Sequence, residues 1–164
     1  ITDCVQAIND LNALGIPVFL EPLPVKFADG KYKVQKEAAA IAKTACVAAE
    51  LGDSSMNIWL KLPYADNYKI VARSTTLPIL ILGGEAKGDP TPMMNEIVSG
   101  LKAGANVRGA LVGRNIIFPG DDDPMAAAMA VHRIVHDGYS AEQAVDYLME
   151  QRSKNLDALT KWIK

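Results

Sequence analysis

Leu77-Pro78-Ile79-Leu80-Ile81-Leu82-Gly83-Gly84 is apolar throughout its length and then becomes abruptly small. A strand with no polar alternation suits burial on both faces, which a parallel sheet covered by helices requires. Two glycines directly after such a strand remove side chains where the backbone turns and leave N–H groups free to approach a ligand. Moving forward, Thr91 and Pro92 fit the N-cap and first position of a helix that closes at Gly104. Val107 to Val112 then forms a second apolar strand, followed by Gly113-Arg114-Asn115.

The same alternation runs backward. Asn57 to Leu62 predicts a strand, with a helix over about 66–75 after it. Residues 36–51 are Ala-rich and helical, stopped by Gly52. Ile16 to Leu20 is a short apolar strand behind a helix over 3–14, with Thr2 or Asp3 as its cap and Val5, Ile8, Leu11 and Leu14 as its stripe. Pro22 to Gln35 shows no period and contains Pro22, Pro24 and Gly30, which predicts a loop. Beyond the last strand, Asp123-Pro124 opens a helix and Ser140-Ala141-Glu142-Gln143 is a capping box for another.

Strand and helix thus alternate four times, and no Gly-x-Gly-x-x-Gly turn follows the first strand to suggest a dinucleotide fold. Chemically useful residues stand where each strand ends: Glu21, Lys61, Gly83-Gly84 and Gly113-Arg114. That is where (β/α)₈ enzymes build their active sites, although a full barrel takes about 250 residues. The expected fold is α/β, the C-terminal half of a (β/α)₈ TIM barrel (strands five to eight with their helices), with residues 1–164 as one domain. The absence of an initiator methionine at Ile1 suits a piece of a longer protein.

Composition narrows the function classes. About half of the 164 residues are apolar and the net charge is −2, so nothing points to nucleic acid or an anionic membrane as partner. No apolar run approaches the roughly 20 residues of a membrane helix. Cys4 and Cys46 lie among apolar residues, which predicts reduced core thiols in a cytoplasmic protein, with no metal-ligand spacing. Met93-Met94, Met125 and Met129 read as helix packing. His132 and His136 read as partly exposed helix residues, and Asp121-Asp122-Asp123 as a solvated, helix-capping turn.

Lys61 stands in Ile58-Trp59-Leu60-Lys61-Leu62-Pro63-Tyr64, inside an otherwise apolar strand. It either snorkels to the surface or faces a barrel lumen, where desolvation disfavours the ammonium and exposes a nucleophilic amine. We read it as the second: an amine that adds to a carbonyl and forms an iminium. Gly83, Gly84, Gly113 and Arg114, on consecutive strands about 30 residues apart, read as a phosphate cradle with a guanidinium. The alternative is a pair of tight turns. Glu21 reads equally as a proton shuttle or as an ion-pair partner of a barrel cation.

The stretch from Leu77-Pro78-Ile79 through Gly83-Gly84, then Ala103-Gly104-Ala105 and Val112-Gly113-Arg114-Asn115-Ile116, resembles the end of class I aldolases of the DhnA, LacD and DeoC group. The resemblance covers residues 77–118 well and the Lys61 strand moderately. It implies that Lys61, in a Leu-Lys-x-x-Tyr context, is the Schiff-base lysine and that no metal or other cofactor is needed. It also implies a phosphorylated ketose or related sugar as substrate. Where archaeal-type fructose-bisphosphate aldolases carry a tyrosine acid, this chain has Leu20-Glu21, more similar to tagatose-bisphosphate aldolases with a functional glutamate. Residues that the family places on its first and fourth strands are missing, and Pro24–Gln35 has no counterpart we can place. The reading is a lyase of carbohydrate metabolism that associates with its N-terminal half or a second copy, as a homo-oligomer. Its rivals are a phosphate-binding barrel isomerase or synthase, and a catalytically silent sugar-phosphate-binding protein.

Overall fold

A computed structural model describes residues 1–152 and Lys154. Its elements are α1 (Thr2–Ala13), β1 (Val18–Leu20), β2 (Val25–Ala28), β3 (Lys31–Val34), α2 (Ala38–Ala49), β4 (Ile58–Leu62) and α3 (Lys69–Arg73). There follow β5 (Ile79–Leu82), α4 (Thr91–Leu101), β6 (Val107–Leu111), α5 (Arg114–Ile117), α6 (Pro124–Asp137) and α7 (Ala141–Gln151). The chain divides into two compact units. One is Ile1–Leu82 with Ser99–Leu111, and the other is Gly83–Val98 with the chain from Val112 onward.

The first unit holds the four strands expected from the sequence. They pair in parallel in the order β1-β4-β5-β6. Along β4 burial alternates: Ile58, Leu60 and Leu62 are sealed on one face, level with Ile79 and Ile81 of β5. Helix α2 packs on β4 and against α3, and supplies Ile41, Ala42, Ala45 and Ala48 to this layer. Each fully buried Leu or Ile contributes about 1.5–3 kcal/mol. The other face carries Trp59, Lys61, Leu80 and Leu82, which are half-buried, and Phe19, which is 52% exposed. Strands β4 and β5, nearly continuous apolar runs apart from Lys61, are therefore sealed on one face and half-buried on the other. Asn106 ties the unit together, donating its amide to the carbonyls of Ala72, Thr75 and Leu77 at 3.0, 3.0 and 3.3 Å.

Pro22–Gln35 is not a plain loop. Residues 25–28 and 31–34 form an antiparallel hairpin joined by Asp29-Gly30, both at positive φ (51° and 74°). Such a two-residue turn follows the right-handed strand twist, and Asp-Gly is a favoured sequence for it. One hairpin face carries Val25, Phe27, Tyr32 and Val34, with the Phe27 and Tyr32 rings edge to face at 5.2 Å. The other carries Lys26, Lys31 and Lys33. The Gln35 N–H donates to the Pro24 carbonyl at 2.8 Å and closes the base.

In the second unit two of the caps read from sequence are present, whereas Thr91 is the first residue of α4 itself rather than its cap. Asp123 Oδ1 accepts from the N–H groups of Met125 and Ala126 at 2.7 and 3.2 Å, with Pro124 at the first helical position. Ser140 and Gln143 bond reciprocally at 3.2 and 2.9 Å. Helices α6 and α7 pack together, burying Ala126, Ala127, Ala130, Val131 and Ile134 on one and Ala144 and Leu148 on the other. Gly120, at φ 79°, is pressed against the Gly88 backbone: a Cβ there would lie 1.9 Å from the Gly88 carbonyl oxygen. Gly120→Ala combines a left-handed backbone with a backbone clash. We expect it to lower stability by about 2–4 kcal/mol, read from urea midpoints at unchanged m.

Several expectations are corrected. Cys4 and Cys46 are exposed rather than core thiols. Helix α1 buries only Ile8, and Cys46 sits at the margin of α2, where its Sγ donates to the Ser74 carbonyl at 3.1 Å. Met93 and Met94 are packed as expected, but Met125 (52% exposed) and Met129 (36%) lie on the outer side of α6. Neither Thr2 nor Asp3 caps α1, which begins after Ile1 without a side-chain cap. Asp122 is not simply solvated: it is largely buried and takes the Arg152 guanidinium at 2.7 Å.

Candidate active site

The register of the first unit brings two expected site residues together. Val18, Phe19 and Leu20 of β1 stand level with Ile58, Trp59 and Leu60 of β4. Side chains alternate along strands, so Phe19 and Trp59 share a face, and Glu21 and Lys61 follow on that face one step further along. The rings of Phe19 and Trp59 lie 6.0 Å apart. Beyond them Lys61 Nζ donates to Glu21 Oε2 at 2.8 Å. The lysine side chain is 24% exposed and the glutamate 43%. Lys61 is thus no isolated amine in an apolar wall: it is ion-paired, at the C-terminal end of its strand, and reachable by solvent. The two roles posed for Glu21 converge in one geometry, an ion pair short enough for direct proton transfer.

Tyr64, three residues after Lys61, stacks on Tyr68 with ring centroids 5.4 Å apart. The Tyr68 hydroxyl is buried without a hydrogen-bond partner among the described residues. Burial pushes its phenol above the usual range, so it stays un-ionised well into the alkaline range.

The four residues read as a phosphate cradle all fall in the second unit. Gly83 is packed so closely that a Cβ would lie 2.8 Å from Val112 Cγ1. Gly84, at φ 65°, and Gly113 have open space where a Cβ would stand, and Arg114 is exposed at the start of α5. Asn115 was not singled out from the sequence, and it is the best-anchored residue of the group. It is 4% exposed, and its amide donates to the Gly83 carbonyl at 2.5 Å and to that of Glu85 at 3.3 Å. The hint available in sequence was an amide directly behind the Gly-Arg pair.

His132 and His136 are exposed, with rings 4.5 Å apart. No group of three or more metal-type side chains occurs among the described residues. A cavity of about 360 Å³ in the first unit is lined by Cys46, Glu50, Arg73 and Thr76 among others, and by none of the expected site residues. No helix among the described residues is long and apolar enough to cross a membrane.

Four parallel strands with their helices, overlaying about half of each of the solved chains they resemble, make this half of a (β/α)₈ barrel. The model of the Cgl0159-like family matches residues 1–132, and the chain belongs to that family. The crystal structure of Cgl0159 from Corynebacterium glutamicum is similar at a TM-score of 0.75 and 33% identity, over 82% of this chain and 45% of that one. An archaeal fructose-1,6-bisphosphate aldolase, its catalytic lysine bound to a carbinolamine intermediate, has the same fold at a TM-score of 0.63 and 21% identity, over 80% of this chain and 50% of that one. In sequence, 2-amino-3,7-dideoxy-D-threo-hept-6-ulosonate synthase 1 of Archaeoglobus fulgidus is 28% identical over 133 residues, 81% of this chain and 45% of that protein. The 3-hydroxy-5-phosphonooxypentane-2,4-dione thiolase of Salmonella typhimurium is 31% identical over 108 residues, 65% of this chain and 34% of that protein. The chain therefore spans about half the length, or less, of the relatives it matches.

Proposed function

We propose that this chain carries the covalent chemistry and the phosphate contacts of a metal-independent class I aldolase acting on a phosphorylated ketose or related sugar. The observation that carries the reading is the 2.8 Å contact between Lys61 Nζ and Glu21 Oε2 at the C-terminal ends of adjacent parallel strands. In this mechanism Glu21 takes a proton from the Lys61 ammonium, and the freed amine pair attacks the substrate carbonyl carbon. The carbonyl oxygen leaves as water after accepting two protons, one handed on by Glu21 and one shed by the Lys61 nitrogen as the carbinolamine forms, and an iminium remains. When the adjacent carbon–carbon bond breaks, its electron pair moves into the iminium and the cleaved hydroxyl gives up its proton to Glu21. The resulting enamine is reprotonated and hydrolysed, which returns Lys61. Support comes from aldolase-type relatives, one named for a phosphorylated compound and one solved with its lysine covalently bound.

The test is reductive trapping. The full-length protein incubated with dihydroxyacetone phosphate and borohydride should gain the mass of the reduced adduct on the peptide containing Lys61. Absence of any adduct alongside ligand binding would favour the silent binding protein, and turnover without an adduct would favour an isomerase or synthase.

Gly83, Gly84, Gly113 and Arg114 would hold the phosphate, the glycines through backbone N–H groups and Arg114 through its guanidinium. A charge-assisted contact of this kind is worth about 1.5–3 kcal/mol. Arg114→Ala should weaken a phosphorylated ligand by about ten- to a hundredfold and leave dihydroxyacetone itself nearly unaffected. Equal losses for both ligands would make Arg114 structural.

A further inference from the structure

The two glycine turns of the second unit are joined by a single side chain. Asn115 belongs to a helix of one turn, yet its amide reaches back to carbonyls of the preceding strand–helix connection: Gly83 at 2.5 Å and Glu85 at 3.3 Å. Both amide hydrogens are thereby engaged, and both partners belong to the turn that includes Gly84. The same pair of connections is in contact at two further points. Gly83 lies against Val112, and Gly120 lies against Gly88. A buried amide of this kind exists to satisfy carbonyls that would otherwise lose their partners. With Gly83 and Glu85 held from below, the N–H groups of that turn are left with a fixed direction.

We propose that Asn115 is the positioning residue of the phosphate cradle: it clamps the Gly83–Glu85 turn to the Gly113–Arg114 turn so that both address one phosphate. The inference rests on the phosphate reading given above, and it adds a residue that touches no ligand. Its neighbour Arg114 is exposed and supplies the charge, while Asn115 faces inward and sets the geometry. Preorganised backbone donors lose their advantage when they must be ordered on binding.

Asn115→Asp keeps the shape and replaces the donor amide by an oxygen facing two carbonyl oxygens. In the full-length protein, half-maximal borohydride trapping with dihydroxyacetone phosphate should then require about tenfold more ligand. Trapping with dihydroxyacetone should be unchanged in both rate and concentration dependence. Asn115→Ser, which keeps one donor, should give a smaller shift of the same selectivity, and it carries the test if the aspartate variant does not fold. Equal losses for the two ligands in the serine variant would mean a purely structural amide and overturn the proposal. A shift with Arg114→Ala but none with either Asn115 variant would overturn the clamp while leaving the phosphate reading intact. No selective shift in any of the three variants would remove the phosphate reading and the clamp with it.

Discussion

Lys61→Arg in the full-length protein is expected to abolish borohydride trapping and to lower aldol cleavage by about 10⁴-fold or more, the scale of losing a covalent nucleophile. Arginine is the informative replacement because it preserves what the fold needs. A guanidinium at this position can still pair with Glu21, now 2.8 Å from Lys61 Nζ, so the ion pair between β1 and β4 survives. It cannot be deprotonated in a protein and cannot form the imine. The melting transition should therefore shift little while chemistry disappears. Adduct formation on another lysine, or continued turnover in the variant, would remove Lys61 from the mechanism. Loss of both trapping and cooperative melting would point instead to a structural ion pair.

Residues 1–164 produced alone are expected not to form a stable monomer. The sheet has β1 and β6 at its edges, each with one neighbouring strand among the described residues. The sheet face opposite α2 presents Phe19, Trp59, Leu80 and Leu82, with Phe19 52% exposed. Apolar area closed off from water is worth about 25 cal/mol per Å², and bare strand edges invite pairing with another chain. The occupant we expect is the N-terminal half of the same barrel, or a second copy in its place. Size-exclusion chromatography with light scattering should give dimers or larger species, and adding the other half should restore a defined particle. A sharp monomer peak with a cooperative melt would show that this face needs no complement.

The parts of the structure that could be read in the sequence were those fixed by local rules. Apolar strands at Ile58–Leu62 and Ile79–Leu82, the Asp123 cap and the Ser140–Gln143 box each depend on a few neighbouring residues, and each is present. Glu21 and Lys61 could be picked out because each breaks an apolar pattern at a strand end. Their pairing could not, since it depends on the register between β1 and β4. Exposure at Cys46 and Met125 was misjudged for a related reason: composition tells that a helix is amphipathic but not how far its partner layer extends. The hairpin at Val25–Val34 is signalled in sequence only by Asp29-Gly30, because Pro22 and Pro24 and the lack of a clear period favour a loop. Asn115 escaped notice because its partners lie more than two dozen residues upstream.

That hairpin has an architectural consequence. Its base is closed by one hydrogen bond, from Gln35 to Pro24, so the chain leaves and returns at nearly the same point. Val25–Val34 is therefore a cassette: it can be lengthened, shortened or exchanged by rejoining two ends that already meet, without shifting the β1–β4 register. Because it branches off just after Glu21, exchanging it alters the stretch of chain that follows that carboxylate while leaving the paired strands β1 and β4 as they are.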